Sequence, residues 1–277
     1  MTVHNIVVVS DLHCGCQFGL CPDAVRLDGG GTYHPSRLQK IVGEWWQEWQ
    51  HDWLPVVCRG EPYVLVINGD ALEGRHHNAT TQLSQNIADH QRIAYDCLYG
   101  LRNNAAAAYY VRGTEAHGGP AGEYEERLAL QLDCVPDENG LYTRWELRYK
   151  TAGGIIDFQH HIATCGSNQY ETTALCREYA IACEEAGRWG YEAPAVVARA
   201  HRHRQSETRV PTRGGYGICF TTPGWQLKTP LTWRMAGSRQ STPQFGASLI
   251  RAGDEEMYTR HWVRNIERSP IEEGVEL

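Results

Sequence analysis

The sequence predicts an α/β (α+β) fold in which two mixed β-sheets pack together and helices flank them. Its first half alternates short apolar strands with helical segments, whereas its second half consists mostly of strands. A single doubly wound sheet would continue the strand–helix alternation, so two packed sheets account better for the change of pattern. The 277 residues, 42% of them hydrophobic, are enough to bury a full core. We expect one domain over residues 1–277, because the sequence contains no Ser/Pro/Gly linker and no repeat.

Apolar runs and helical spacing define the elements of the first half. Residues 6–9 form a continuous run of Ile and Val, which predicts a buried strand. An inserted loop and helix then occupy about 14–55, and Ser36 is the expected cap of a helix whose Trp residues pack into the core. The same criteria predict further strands at 62–68 and 105–111 and helices at 80–99 and 122–132.

The second half is predicted to be richer in strands. Residues 141–149 alternate apolar and polar side chains, as expected for a half-exposed antiparallel strand. A strand at 155–159, a helix at 171–187 and a strand at 195–199 follow. The C-terminal part, about 205–277, is β-rich, with strands expected at 206–210, 216–221, 245–251 and 256–264.

Composition limits the classes of partner. A net charge of −7 argues against a broad surface for duplex nucleic acid, because such a surface needs cations that replace counterions. The N-terminal residues do not resemble a signal peptide, and no apolar run approaches the roughly 20 residues that span a bilayer. We therefore expect no membrane partner, and a cytoplasmic protein whose ten cysteines are mostly reduced. Cys14, Cys16 and Cys21 are either plain thiols or part of a zinc site, although their spacing fits no standard pair of zinc knuckles.

Residues of the metal-ligand type follow five of the predicted strands, each at its carboxyl end. Because the carboxyl ends of neighbouring strands share one sheet edge, these residues are expected to meet there. They are Asp11 with His13, Asp70, a segment with Glu115 and His117, His160 or His161, and His201 with His203.

The residue types indicate the chemistry. Two ligands at positions i and i+2 of an extended chain point the same way, so His201 and His203 can serve one site. Mixed carboxylate and imidazole ligands suit Mn²⁺, Fe or Zn²⁺. A pair of metal ions needs a bridging carboxylate, and Asp70 is the natural choice.

This ordered set, Asp11-x-His13, Gly69-Asp70, a Gly113 loop carrying His117, His160 and His201-x-His203, resembles the calcineurin-like metallophosphoesterase superfamily over roughly residues 5–210. The resemblance implies a four-layer sandwich that binds two divalent ions, with Mn²⁺ expected and Fe, Zn²⁺ or Ni²⁺ as alternatives. It implies that Asp11, His13 and His203 hold the first ion, that His160 and His201 hold the second, and that Asp70 bridges them. It further implies that a metal-bound hydroxide attacks phosphorus and that His117 acts on the phosphoryl group as a catalytic residue.

The third motif departs from the family pattern. The family has Gly-Asn-His and then an acidic residue, whereas this chain has Gly113-Thr114-Glu115-Ala116-His117. Thr114 stands where the Asn ligand would be, and Glu115 is expected to supply the oxygen ligand instead. This variant is similar to the motif of phage and prophage-type members, which would place the protein in a host cytoplasm.

The expected substrate is a phosphate ester. A phosphodiesterase or nuclease acting on nucleic acid or nucleotides is the first expectation. The alternatives are a phosphomonoesterase for phosphoproteins or small molecules, and a non-catalytic binding module. Arg75, Arg112 and Trp225 are candidates for substrate contact, because Arg and Trp side chains bind phosphates and stack on bases.

Overall fold

A computed structural model of the chain describes residues 3–76, 78–163, 168–234, 242–253 and 257–266. Its strands are β1 Asn5–Val9, β2 Val25–Arg26, β3 Thr32–Tyr33, β4 Tyr63–Asn68, β5 Ala107–Val111, β6 Thr143–Arg144, β7 Leu147–Thr151, β8 Gly154–Phe158, β9 Pro194–Arg199, β10 Ser206–Thr212, β11 Gly215–Thr221, β12 Phe245–Ala252 and β13 Met257–Arg264. Its α-helices are α1 Arg37–Glu48, α2 Leu54–Val57, α3 Ile87–Asn104, α4 Glu115–Gly118, α5 Glu123–Gln131, α6 Glu171–Trp189 and α7 Pro230–Arg234. A π-helical turn, Trp49–Trp53, joins α1 to α2, and a 3-10 turn, Asn168–Tyr170, precedes α6.

Two mixed sheets form the centre of the fold. The first has six strands in the order β13-β12-β1-β4-β5-β6, and the second has five in the order β10-β11-β9-β8-β7. In the first sheet β1, β4 and β5 run parallel, and in the second β8, β9 and β11 do. The carboxyl ends of β1, β4 and β5 therefore share one edge of their sheet, as do those of β8 and β9.

Alternating side chains of the strands pack into different layers. Ile6 and Val8 of β1 contact the second sheet, where Phe158 and Phe220 lie in the same apolar cluster. Val7 and Val9 face the other way and pack against helices α1, α3 and α5. On the far side, α6 covers the second sheet through a cluster that includes Tyr179. The result is the predicted sandwich of helices, two sheets and a further helix.

Most predicted elements agree with the structure, and two differ. Helix α3 begins at Ile87, after the cap Asn86, and not at residue 80. The predicted strand 141–149 is two strands, β6 and β7, which belong to different sheets. The alternation of apolar and polar side chains continues from one to the other. The Trp residues pack into the core as predicted, with Trp46 and Trp49 buried and Trp45 and Trp53 partly buried against them.

The structure also bears on the cysteines and on membrane insertion. Cys14, Cys16 and Cys21 are buried free thiols, and burial raises the pKa of each. None of them joins a group of potential metal ligands among the described residues, which leaves the plain-thiol alternative. Within the same part of the chain, every helix is too short or too polar to cross a membrane.

Candidate metal centre

Hydrogen bonds between the loops after β1 and β4 bring the first candidate ligands together. Asp11 N donates to Gly69 O and His13 N donates to Asp70 O, both at 3.0 Å. Close packing requires glycine at position 69, because a Cβ there would lie 2.4 Å from His160 Nδ1. The strand ends therefore converge as the sequence predicted.

The backbone at this edge is strained and not extended. Eight non-glycine residues of the described chain have left-handed φ values, and five of them are Asp11, His13, Asp70, His201 and His203. Each such residue costs on the order of 1–3 kcal/mol, and such residues gather at functional sites. The i and i+2 side chains therefore do not share one direction as they would on an extended chain, and the prediction based on that geometry is wrong here. His201 and His203 belong to different ligand groups.

The first group consists of Asp11, His13 and His203, whose ligand atoms all lie within 4.8 Å of one another. His13 Nε2 lies 3.2 Å from His203 Nε2, and His203 Nε2 lies 3.2 Å from Asp11 Oδ1. The other oxygen of Asp11 accepts a hydrogen bond from the His201 backbone N–H at 3.2 Å. Asp11 Oδ1 is thereby left facing the two imidazoles.

The second group consists of Asp70, His160 and His201 and meets the same distance limit. His160 Nδ1 donates to Asn68 O at 2.7 Å, so its Nε2 is the nitrogen that faces the other ligands. That Nε2 lies 3.0 Å from Asp70 Oδ2 and 3.8 Å from Asp11 Oδ1, which joins the second group to the first. His160 is buried and His161 is exposed, so the first of the two histidines occupies the site. The bridging role of Asp70 stays a prediction.

Electrostatics favour a cation between these groups. Burial alone would raise the pKa of Asp11 and Asp70, but neighbouring histidines outweigh it, and both pKa values fall well below the usual range. Burial would lower the pKa of His160, yet Asp70 and Asp11 raise it to about 10. Burial and His160 lower the pKa of His201 to about 4, so this imidazole is neutral at pH 7 and able to ligate.

Two buried atoms test whether these residues fit metal ions. Asp11 Oδ1 and His160 Nε2 make no well-directed hydrogen bond among the described residues, although His203 Nε2 and Asp70 Oδ2 lie 3.2 and 3.0 Å from them, and both side chains are at most 1% exposed. Unsatisfied buried polar atoms are costly and uncommon in folded proteins. A divalent ion would satisfy both, since carboxylate and imidazole are its ordinary ligands. The donor set therefore fits a pair of divalent ions.

Glu73, which the sequence left open between a residue that orients a ligand and a solvated one, lies at the site. It is 1% exposed, and its Oε2 lies 3.1 Å from His13 Nδ1 and 3.2 Å from Gln226 Nε2. Its Oε1 lies 3.1 Å from His76 Nε2. Such a carboxylate fixes the tautomer and orientation of a ligating histidine. A carboxylate three residues after Asp70 was the signal available in the sequence.

His117 lies at the site in a defined orientation. Its Nδ1 donates to Glu73 O at 2.6 Å, and its ring stands edge-on to His13 with centroids 4.4 Å apart. Because Nδ1 carries that proton, Nε2 is the nitrogen left for exchange with a bound molecule. Glu73, His13 and His117 also form a third set of potential ligand atoms within 4.8 Å.

The third motif places Thr114, and not Glu115, beside the other ligands. Thr114 N and Oγ1 donate to Asp70 Oδ1 at 2.8 and 3.1 Å. Glu115 is the first residue of α4, is exposed, and belongs to none of the three ligand sets found in the described residues. The expectation that Glu115 supplies an oxygen ligand is not supported, because α4 begins at Glu115 and turns that side chain toward solvent.

The three predicted substrate contacts lie away from the ligands. Trp225 is fully buried and packs on Trp46 and Trp262, with centroids 4.7 and 6.0 Å away, so it cannot stack on a base. Arg112 Nε donates to Thr143 Oγ1 at 2.7 Å, in the direction of β6. Arg75 lines a neighbouring depression and not the cavity over the ligands.

The ligands open onto a cavity of about 630 Å³. Its wall also holds three cationic residues, Arg202, Lys228 and Arg234, and four threonines, Thr80, Thr81, Thr229 and Thr232. A shallow depression of about 740 Å³ shares His76 with this cavity and is lined by Arg75, Glu115 and Tyr124 among others. The candidate centre thus lies in a polar cavity with a cationic wall.

Comparison with known proteins adds little to these observations. No protein-family model matches the chain, and no curated protein matches it by sequence. The solved structures that match include protein TM1076 of Thermotoga maritima, which is 11% identical with a TM-score of 0.38 and covers 95% of this chain and 100% of that one. Vacuolar protein sorting 29 of Cryptosporidium parvum is 11% identical with a TM-score of 0.34, covering 95% of this chain and 98% of that one.

The third structure is the sulfate thiohydrolase SoxB of Thermus thermophilus, 10% identical with a TM-score of 0.40. The match covers 96% of this chain but only 57% of SoxB. Likenesses of this size carry no argument about activity, so the function has to be argued from the residues of the chain itself.

Proposed function

We propose that this chain is a metal-dependent phosphoester hydrolase of the calcineurin-like metallophosphoesterase superfamily and that it binds two divalent ions. The observation that carries the proposal is the convergence of two ligand groups at one edge of the sandwich, in which the buried Asp11 Oδ1 and His160 Nε2 face other ligand atoms without a well-directed hydrogen bond. The order of these ligands along the chain supports the family assignment. Mn²⁺ is the first metal to test, followed by Fe, Zn²⁺ and Ni²⁺.

The residues of the chain have separate roles in this proposal. Two divalent ions bound here would polarise a phosphoryl oxygen and activate water. Glu73 holds His13 in the orientation that aims Nε2 at the first group. Thr114 holds Asp70 in place through its backbone N–H and its hydroxyl. His117, with Nδ1–H fixed on the Glu73 carbonyl, can as an imidazolium give its Nε2 proton to the leaving oxygen and become neutral.

The cavity favours an anionic substrate with groups on both sides of the reacting phosphorus. Arg202, Lys228 and Arg234 supply positive charge on its wall. The depression that shares His76 with the cavity offers space for a second substituent. A phosphodiester, such as a nucleotide or a single-stranded nucleic acid, needs both spaces, whereas a monoester needs one. The net charge of −7 speaks against duplex DNA.

The test uses metal-stripped protein loaded with Mn²⁺, a chromogenic phosphodiester and the matching monoester. Asp70→Asn is the inactivating variant. Asp133→Asn is its matched control, because Asp133 also has a left-handed φ, 49° against 52° for Asp70, and lies on the surface at 90% side-chain exposure. We expect diester hydrolysis in the wild type and in Asp133→Asn, and a loss of about 10²-fold or more in Asp70→Asn.

Each other result redirects the proposal. Hydrolysis of the monoester alone would make the protein a phosphomonoesterase. Turnover that survives in Asp70→Asn would remove Asp70 from the centre. Binding of one ion or none, with no hydrolysis, would refute the enzyme and leave a binding module.

A further inference from the structure

Glu125 is a buried carboxylate behind the candidate centre that the proposed roles do not use. It lies in α5, is 1% exposed, and is not within reach of the cavity wall described above. Its Oε1 accepts hydrogen bonds from Asp70 N at 3.0 Å and from Tyr110 OH at 3.1 Å. Its Oε2 accepts one from Gly113 N at 2.8 Å.

These hydrogen bonds connect the loops that follow two strands, β4 and β5. Asp70 N–H follows β4 and Gly113 N–H follows β5, so neither belongs to the sheet ladder at that point. Each N–H points at a different oxygen of the same side chain. Only a group that accepts at both ends can satisfy them, and an ionised carboxylate does so while an amide does not.

Keeping a carboxylate there is electrostatically unfavourable. The side chain is 1% exposed and lies against Asp70, which carries a second buried carboxylate. A neutral side chain would avoid that penalty if the only requirement were to fill space. The geometry that Glu125 secures is the short distance between the Asp70 and Gly113 loops, which lets Thr114 donate to Asp70 Oδ1.

We infer that Glu125 is a positioning residue for the second metal ion, acting by holding the Asp70 loop against the Gly113 loop. The inference rests on the proposed two-metal function. Asp70 is the one carboxylate of the second group, so misplacing it affects that group first. The first group keeps Asp11, His13 and His203 and depends on Glu73 instead.

The test is a stepwise Mn²⁺ titration of metal-free protein. Calorimetry measures each binding step, and electron paramagnetic resonance reports the environment of the bound Mn²⁺. The variant is Glu125→Gln, and Glu126→Gln is its matched control. Glu126 is the next residue of α5 and also accepts from two backbone N–H groups, those of Tyr142 and Thr143, at 2.7 and 2.9 Å. Its bonds lead to β6 and not to the ligands.

We expect two ions in the wild type and in Glu126→Gln. In Glu125→Gln the second binding step should weaken by roughly 10–100-fold, and the first step by much less, because it keeps Asp11, His13 and His203. The resonance spectrum should then change from that of an interacting pair of ions to that of isolated Mn²⁺. A general loss of structure would weaken both steps together, so the difference between the steps separates positioning from folding.

Other outcomes overturn the inference. If Glu125→Gln titrates like Glu126→Gln, Glu125 has no positioning role, while the two-metal proposal stands. If both steps weaken equally, its role is structural only. If the wild type binds fewer than two ions, the proposed function fails and the inference fails with it. Should Glu125→Gln not fold, Tyr110→Phe removes one donor to Oε1, and an unchanged second step in that variant would equally refute the inference.

Discussion

Replacing Gly113 with alanine tests whether the position of Asp70 controls the centre. A Cβ at residue 113 would lie 2.0 Å from Asp70 Oδ1 and 2.4 Å from Asp70 N. Contacts under 3.0 Å essentially do not occur for a real Cβ, so one of the two loops would have to retreat by about 1 Å. Gly113 does not have a left-handed φ, so the effect of the substitution comes only from the contact of the new Cβ with Asp70.

The magnitude follows from that displacement. Overpacking of this kind costs about 1–3 kcal/mol of unfolding free energy. A shift of about 1 Å in a reacting group lowers turnover by about 10²-fold. We therefore expect Gly113→Ala to fold with a modestly lower melting temperature, to bind the second ion weakly and to lose nearly all hydrolysis of the diester.

Gly187→Ala is the control for this change. Gly187 lies in α6, and a Cβ there would have no neighbour within 4 Å. That variant should gain about 0.5–1 kcal/mol of unfolding free energy, because alanine restricts the unfolded chain. Thermal unfolding, Mn²⁺ stoichiometry and diester turnover are measured for both. Equal metal binding and turnover in the two variants would refute the argument that a tightly placed Asp70 is required.

Three further substitutions test other parts of the structure. Glu73→Ala should weaken the binding of the first ion by roughly 10–100-fold, because it removes the carboxylate that orients the ring of His13. An unchanged first step in the Mn²⁺ titration would contradict this. Glu115→Gln should leave both steps of the same titration as in the wild type, whereas a weaker second step would return this residue to the ligand set. Arg199→Met should lower the free energy of unfolding by about 3–5 kcal/mol, because Arg199 is 2% exposed and its guanidinium neutralises the carboxylates of Asp157 and Glu178. Urea unfolding measures the change, and a loss under about 1 kcal/mol would mean that water screens these carboxylates.

Local sequence patterns predicted the central strands well, because β1, β4 and β9 are largely contiguous apolar runs. The start of α3 was missed for a tertiary reason. The residues before α3 form backbone hydrogen bonds with the loop after β1. Gln17 N donates to Thr81 O and Leu83 N donates to Gly15 O, both at 2.8 Å. That pairing keeps the segment extended although its composition suits a helix.

The change of sheet between β6 and β7 was hidden for a similar reason. Period-two alternation continues through Trp145 and Glu146, and the pattern contains no information about which sheet receives each half. Only the packing of the two sheets divides the stretch.

Short-range patterns predicted six of the residues that meet at the candidate centre. Asp11, His13, Asp70, His160, His201 and His203 each follow an apolar run, and parallel strands bring such positions to one edge. Their arrangement depends on long-range contacts. Five of those residues take left-handed backbone angles, Thr114 displaces Glu115 beside Asp70, and Glu125 supports Asp70 from a position that carries no local signal. The physical reason is that chemistry and strand order are encoded in neighbouring residues, whereas hydrogen bonds between loops depend on segments far apart in the chain.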